Sequence, residues 1–371
     1  MAADFVQDVL PDLEIPDIDI KVTYDPPQLL QKMSADESVA SDQVTMYCGE
    51  PVKPGVGPGV LISQTRIWRN GKEMITDVDR VFPAGAANMM TPDTSTSPSL
   101  AAKFWCAASS ATMLTIGMGA KFLLRCYNTT VIHGKENIDS VFNSRSGPVL
   151  SVVNHHSCFD DPGIWGAVLS PRQLINTRLM RWGASASEVI FVNRPLETFW
   201  KLGKVIPIVR GWGVDQPAMQ FLVDKLNRGG WVNIFPEGKV TVGRHIGMLR
   251  WGVGRLIMDS DKVPTVVPVL HMGMDSVLPN PADDSESQPC VIRPGNLVTV
   301  NIGAPVQLDN LVRELKQKKV EAEEARRLIT KHIQDVMERL YQETKVLHRQ
   351  NILRWLQRWH DKVDTTPSIL T

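Results

Sequence analysis

The chain reads as an α/β fold, a mixed twisted sheet flanked by helices, and three observations predict it. Short apolar runs bounded by turn residues recur as strand candidates at 147–153, 205–209 and 231–235. Helix signals alternate with them, among them Asp161-Pro162, which reads as an N-cap followed by proline at the first helical position. The 371 residues, 43% of them hydrophobic, suffice for one large domain plus appendages.

Residues 1–99 form a leader rich in Pro, Gly, Asp and Ser, as in Pro54-Gly55-Val56-Gly57-Pro58-Gly59, and its composition predicts that most of it is disordered. The Gly-x-Gly there lacks the strand, helix and lysine of a phosphate loop. Val60-Leu61-Ile62-Ser63 and Arg66-Ile67-Trp68 are candidates for a short added strand or a segment docked on the core. Charge is balanced at 40 acidic and 40 basic side chains, yet residues 1–100 hold 15 acidic against 7 basic and the other 271 hold 25 against 33. An acidic leader is unlike an arginine-rich mitochondrial transit peptide, whereas a basic body suits an anionic bilayer.

Residues 100–126 form a hydrophobic segment whose core, Phe104 to Ala120, is 17 residues long and flanked by Lys103, Lys121 and Arg125. That is the lower limit for crossing a bilayer. Ser109, Ser110, Thr112 and Thr115 dilute it, and Gly117 and Gly119 favour a bent or shallow course, so an interfacial or re-entrant segment is expected before a true span. A buried soluble helix is the plain alternative. Trp165, Trp231 and Trp251 are expected to pack inside.

The strand at 147–153 runs into Asn154-His155-His156-Ser157-Cys158-Phe159-Asp160-Asp161, where an imidazole and a carboxylate stand five positions apart at a strand-to-helix turn. A loop folding back lets Asp160 accept the proton on one ring nitrogen of His155, leaving the other to take a hydroxyl proton. Spacing alone pairs His156 with Asp161 equally well. The capping role read for Asp161 favours His155 with Asp160. For an isolated motif of this kind, ordinary loop histidines are the plain reading. Ser157 is a candidate orienter and equally a helix-start hydroxyl, and Cys158 reads as a buried structural residue.

Arg210 closes the 205–209 run, whose proline marks an edge or irregular strand, and a guanidinium at a strand end suits bidentate phosphate binding or a solvated ion pair. The 231–235 strand ends in Phe235-Pro236-Glu237-Gly238, necessarily a turn, with Glu237 available to Arg210 or to a substrate hydroxyl. Residues 311–371 are highly charged, with apolar positions at Leu328, Ile329, His332, Ile333, Val336 and Leu340 in helical spacing, and predict amphipathic helices covering the sheet. Ile352, Leu353, Trp355, Leu356 and Trp359 among arginines suit either lipid contact or helix packing. Five cysteines without a Cys-x-x-Cys indicate neither zinc nor a disulfide frame.

Four ordered blocks resemble the glycerolipid acyltransferases: Asn154 to Asp161, Leu202-Gly203-Lys204-Val205-Ile206-Pro207-Ile208-Val209-Arg210, Phe235-Pro236-Glu237-Gly238-Lys239, and His271-Met272-Gly273-Met274-Asp275 with Val277-Leu278-Pro279-Asn280. The resemblance runs from about Phe104 to about Leu347. It implies a glycerol-phosphate-acyltransferase-like catalytic domain at 127–310, catalysis by His155 and Asp160, and substrate binding by Arg210, Phe235, Pro236, Glu237 and Gly238. The wording of the blocks is closest to the branch of the family that exchanges acyl chains between phospholipids and lysophospholipids without CoA, remodelling cardiolipin. That implies no metal and no cofactor, no nucleic-acid partner, and phospholipid and lysophospholipid substrates. It also implies an anionic mitochondrial membrane surface facing the intermembrane space, a monotopic or interfacial mode, and a homo- or hetero-oligomer in the membrane. An acyl-CoA-dependent lysophosphatidate or glycerophosphate acyltransferase is the rival within the class. A catalytically silent membrane scaffold is the rival outside it.

Overall fold

The computed structural model describes residues 67–69, 72–74, 87, 90, 99–144, 147–187, 193–241, 245–279 and 291–364. The disorder expected over most of 1–99, the candidate strand at 60–63, the side chain of Trp359 and Asn280 lie outside them. The expected strand at Arg66-Ile67-Trp68 is observed as β1 (Ile67–Arg69), paired antiparallel with β2 (Lys72–Met74), with Trp68 opposite Glu73. This small pair belongs to a different compact unit from residues 75–371.

The body begins with α1 (Leu100–Phe122), whose first turn is capped by the Ser99 hydroxyl accepting from the Ala102 amide. The glycines do not interrupt the helix: α1 runs on through a π-helical turn, Leu123–Tyr127, so that residues 100–127 are helical without a break. Gly117 serves packing instead: a Cβ there would meet the Leu174 side chain at 2.7 Å, and one at Gly166 would meet the Gly117 carbonyl at 2.7 Å. The rod carries two opposite stripes. Ala102, Ser109, Met113, Gly117, Ala120 and Leu124 are buried, whereas Leu100, Phe104, Met118 and Phe122 stand exposed, Phe104 at 68%. The outward stripe is thus apolar where an amphipathic helix on a globular body ordinarily turns polar residues to water.

After β3 (Thr129–His133), α2 (Lys135–Ser144) and β4 (Val149–Val153), the motif loop leads into α3 (Asp160–Val168). α4 (Pro171–Leu174), β5 (Gly183–Ala186), α5 (Arg194–Leu202), β6 (Val205–Ile208), α6 (Pro217–Asn227) and β7 (Trp231–Ile234) follow. The chain closes with α7 (Gly252–Met258), β8 (Thr265–Met272), α8 (Met274–Val277), β9 (Leu297–Ile302), α9 (Asp309–Gln317) and α10 (Ala322–Asp364). The main sheet has the order β3-β9-β8-β4-β7, and it is mixed: β8 is parallel to β4 but antiparallel to β9. A parallel bridge from Trp182 to Val232 joins β7 to the parallel pair β5-β6, so β4, β7, β5 and β6 all point one way. Pro207 is tolerated because β6 is the outer strand of its pair. Pro268 falls where the β9 ladder, which starts at Val269, has run out, so its missing N–H breaks no bond there.

Two apolar layers fill the faces. One is built on Leu150, Val152, Val266 and Leu270 with α6, α7 and α10; the other on Val149, Val153, Val267 and Val269 with α1 and α3. The alternation follows from the two-residue period of a strand covered on both sides. α10 buries Ile329, Ile333, Met337, Leu340 and Tyr341 on the sheet, as its spacing predicts, but His332 is exposed and Val336 only half-buried. Near its end Ile352 is buried while Leu353 and Leu356 are exposed. Trp165 and Trp231 pack edge to face in the core, whereas Trp251 is 40% exposed, because it starts the short helix α7 at the surface instead of sitting on a strand.

Candidate active site

Loops leaving the carboxyl ends of β4, β8, β7 and β6 emerge along one edge of the sheet, the usual place for a ligand crevice in an α/β fold. The motif loop, the turn at 235–238 and Arg210 follow β4, β7 and β6, and His271 is the penultimate residue of β8 itself. Asn154, the first residue past β4, extends the strand pairing with its side chain: Nδ2 donates to the His271 carbonyl at 3.0 Å and Oδ1 accepts from the His271 amide at 2.9 Å. The chain then turns back on itself, and α3 presents Asp160 at its first residue.

His155 Nδ1 lies 2.9 Å from Asp160 Oδ2. The same oxygen accepts the amides of His156 at 2.7 Å and Ser157 at 2.8 Å, so the carboxylate folds its own loop while it orients the imidazole. Asp160 is fully buried. Burial would raise its pKa, but the His271 imidazole beside it and the hydrogen bond from His155 outweigh that and hold the carboxyl well below the usual carboxylate range. With Nδ1 donating to an anion, Nε2 of His155 carries the lone pair. The ring is 22% exposed and stacks on Phe235 with centroids 4.4 Å apart.

The register read from sequence is the one the structure brings together, but the reason was different. Asp161 caps nothing; the residue before α3 is Phe159 and makes no side-chain cap, and Pro162 is the third helical residue. Asp161 is instead paired through both oxygens with Arg181, whose other terminal nitrogen donates to the Gly203 carbonyl at 3.2 Å. His156 is turned away from Asp161 and buried, with Nε2 donating to the His245 carbonyl at 3.1 Å and Nδ1 facing Asn154 Nδ2 at 3.3 Å. Burial and the neighbouring His271 both push His156 below the ordinary histidine range, which keeps it neutral. Ser157 orients Asp160 through its amide; its hydroxyl donates to the Leu278 carbonyl at 2.8 Å and accepts from the Phe159 amide. Cys158, expected to be buried, is exposed because the tight loop turns it outward.

Glu237 is buried and bonded to backbone and a hydroxyl, not to Arg210 as one expectation had it. Oε1 accepts the His155 amide at 2.9 Å, and Oε2 accepts the Gly247 amide at 3.0 Å and the Thr241 hydroxyl. The Thr241 amide in turn donates to the His155 carbonyl at 2.7 Å. Pro236 is buried and accepts the Arg250 amide; Gly238 has φ of +74°, where a side chain would be strained and would crowd the Arg250 stem. Arg210 is exposed on the turn after β6. Gln216 holds that turn by bonding both the amide and the carbonyl of Val209. Behind the motif, a cavity of about 90 Å³ opens between α1, α3 and α5, lined by Met113, Gly117, Trp165 and Trp200 with Asp161 and Arg181. Among the described residues no cluster of His, Cys, Asp or Glu is arranged to hold a metal.

Residues 129–272 match the family model described as Acyltransferase. The N-acylphosphatidylethanolamine synthase of Arabidopsis thaliana is 32% identical over 200 residues, 53% of this chain and 70% of that protein. The chain belongs to the glycerolipid acyltransferase family. The chain is also similar to tafazzins: that of Drosophila melanogaster is 38% identical over 251 residues, 67% of this chain and 64% of its own length. The taffazin of Dictyostelium discoideum is 40% identical over 136 residues, 36% of this chain and 47% of its own. The match thus spans less than two thirds of either tafazzin.

Proposed function

We propose that the chain transfers acyl groups between phospholipids and lysophospholipids without CoA, and that His155 and Asp160 perform the proton transfers. The observation that carries this is the 2.9 Å contact from His155 Nδ1 to a buried, ionised Asp160, which leaves Nε2 as the base. In the proposed step Nε2 takes the proton of a lysolipid hydroxyl, and the alkoxide oxygen bonds to the ester carbonyl carbon of the donor. The tetrahedral adduct collapses by breaking the donor's carbonyl-to-glycerol C–O bond, and Nε2–H protonates the departing oxygen. One ester is lost and one made, so the residues end as they began. General-base assistance of this kind contributes roughly 100- to 10,000-fold. Arg210 is assigned to a headgroup phosphate, Phe235 to the face of the imidazole, and Pro236, Glu237 and Gly238 to the turn that holds it.

Cardiolipin species at mitochondrial membranes facing the intermembrane space are the proposed substrates and place, by likeness to the tafazzins. The exposed apolar stripe of α1 with Lys103, Lys121 and Arg125 supports monotopic attachment to an anionic surface. Residues 127–310 are assigned to catalysis and 311–371 to its helical cover, and an oligomer in the membrane is part of the same proposal. A second reading, acylation of a headgroup amine, rests on the name of the Arabidopsis relative.

Purified protein given labelled phosphatidylcholine and a lysocardiolipin, with CoA rigorously absent, should pass label to the lysolipid. Transfer that begins only when acyl-CoA is supplied would refute the transacylase reading. Label appearing on the amine of added phosphatidylethanolamine would favour the second one.

A further inference from the structure

The inference below rests on the reading of His155 as the base and extends it to a residue that reading leaves unused. The two oxygens of Asp160 are treated differently. Oδ2 takes three donors, whereas Oδ1 receives no full hydrogen bond from any described group. What faces Oδ1 is Nε2 of His271, at 3.3 Å. That N–H aims first at the Asn154 carbonyl, 3.0 Å away, so its contact with the carboxylate is electrostatic in kind.

His271 is fully buried near the end of β8 and is clipped at both its amide and its carbonyl by Asn154, which fixes the ring on the far side of Asp160 from His155. Its Nδ1 is buried with no partner among the described residues, an arrangement that packing alone would not favour. The titratable groups facing it are Asp160 from α3, the neutral His156 with ring centroids 5.7 Å apart, and Asp275 from α8. Burial opposes charge on His271, yet the Asp160 carboxylate outweighs burial and raises the imidazole above its ordinary range, with Asp275 helping.

We propose that His271 is a positioning residue that acts through Asp160: a second imidazole on the free oxygen of the carboxylate, it competes with His155 for the same charge and so sets how firmly His155 holds a proton. A charged His271 offsets part of the field of Asp160, the imidazolium of His155 is stabilised less, and the base is free at lower pH. Removing His271 gives the whole carboxylate to His155. Its protonated form is then favoured, and the acid limb of the rate profile moves upward.

The test measures CoA-independent transfer from phosphatidylcholine to a lysophospholipid by the full chain across about pH 5 to 9. Wild type, His271→Gln, His271→Ala and His155→Ala are compared. Both His271 variants should shift the acid limb up by about one pH unit. KM for the lysolipid should stay within about twofold, since uniform substrate binding is untouched. An unmoved limb in a variant that keeps the wild-type melting temperature overturns the proposal. Ring NMR of His271 in the wild type guards against variants that fail to fold: protonation of His271 above the ordinary histidine range is expected, and a His271 that stays neutral across the pH range overturns the proposal. His155→Ala separates the two readings. Full activity there removes the base itself, whereas a silent His155→Ala beside unshifted His271 variants removes only His271.

Discussion

Asp160 sits where four functions meet: it starts α3, folds the motif loop by accepting two amides, orients His155 and faces His271. Replacing it by Asn keeps the volume and loses the charge, so the amide loop is weakened and the imidazole tautomer is no longer enforced. By comparison with carboxylate loss in hydrolase triads, Asp160→Asn should lower transfer by about 1,000- to 10,000-fold. His155→Ala should do the same, while His156→Gln, which removes only a buried neutral ring bonded to a backbone carbonyl, should retain transfer within about tenfold. Initial rates of all three, with circular dichroism to confirm folding, decide the matter; loss confined to His156 would reverse the register. Glu237 belongs to the same scale. Its carboxylate fixes the His155 backbone from the opposite side, and that role was invisible in the sequence because it depends on bonds to residues 82 positions earlier and 10 later.

At the scale of elements, the contact that matters most for the site is α1 against α3. Gly166 faces the Gly117 carbonyl and Ala120, and a Cβ there would come within 2.7 Å of the former. This close approach lets α1 lie flat on the helix whose first residue is Asp160. Gly166→Val should force the two apart and destabilise the fold by about 1 to 3 kcal/mol, read as a lower midpoint in chemical unfolding. A midpoint equal to wild type would show that α1 is not held by this contact. The hydrophobic segment was legible as apolar from its composition, but the packing role of Gly117 was not, because which neighbour a glycine admits is decided by the tertiary structure.

At the scale of the molecule, the parallel strands aim their carboxyl ends at one edge, and α1 shows an apolar stripe to the outside. Under the proposed function the edge is the catalytic one and the outward stripe of α1 is the face that meets lipid. Phe104→Glu with Phe122→Glu should weaken binding to cardiolipin-containing vesicles at least about tenfold, since two exposed aromatic side chains proposed to enter the bilayer are replaced by charges repelled by the surface. Sedimentation with vesicles measures it. Unchanged binding would move the membrane contact elsewhere, with the exposed Leu353 and Leu356 of α10 the next candidates.

The strands at 147–153, 205–209 and 231–235, the amphipathic character of α10 and the pairing of His155 with Asp160 could all be read locally, because period, turn residues and five-residue spacing are properties of short stretches of chain. β8 and β9 are not among the strands read from sequence, although Val266-Val267-Pro268-Val269-Leu270 is a β-branched apolar run; their places beside β4 and β3 are set by pairings distant in the chain. What the amino-acid order determined by itself was the fold class, the family and the pairing of His155 with Asp160. What tertiary structure alone decided was which groups share that carboxylate. Asp161 goes to Arg181, Glu237 to the His155 backbone and His271 to the far oxygen of Asp160, pairings between residues 20 to more than 100 positions apart in sequence. The physical reason is that hydrogen bonds and buried charges are selected by packing across the sheet, and local spacing carries no record of which strand ends will lie side by side.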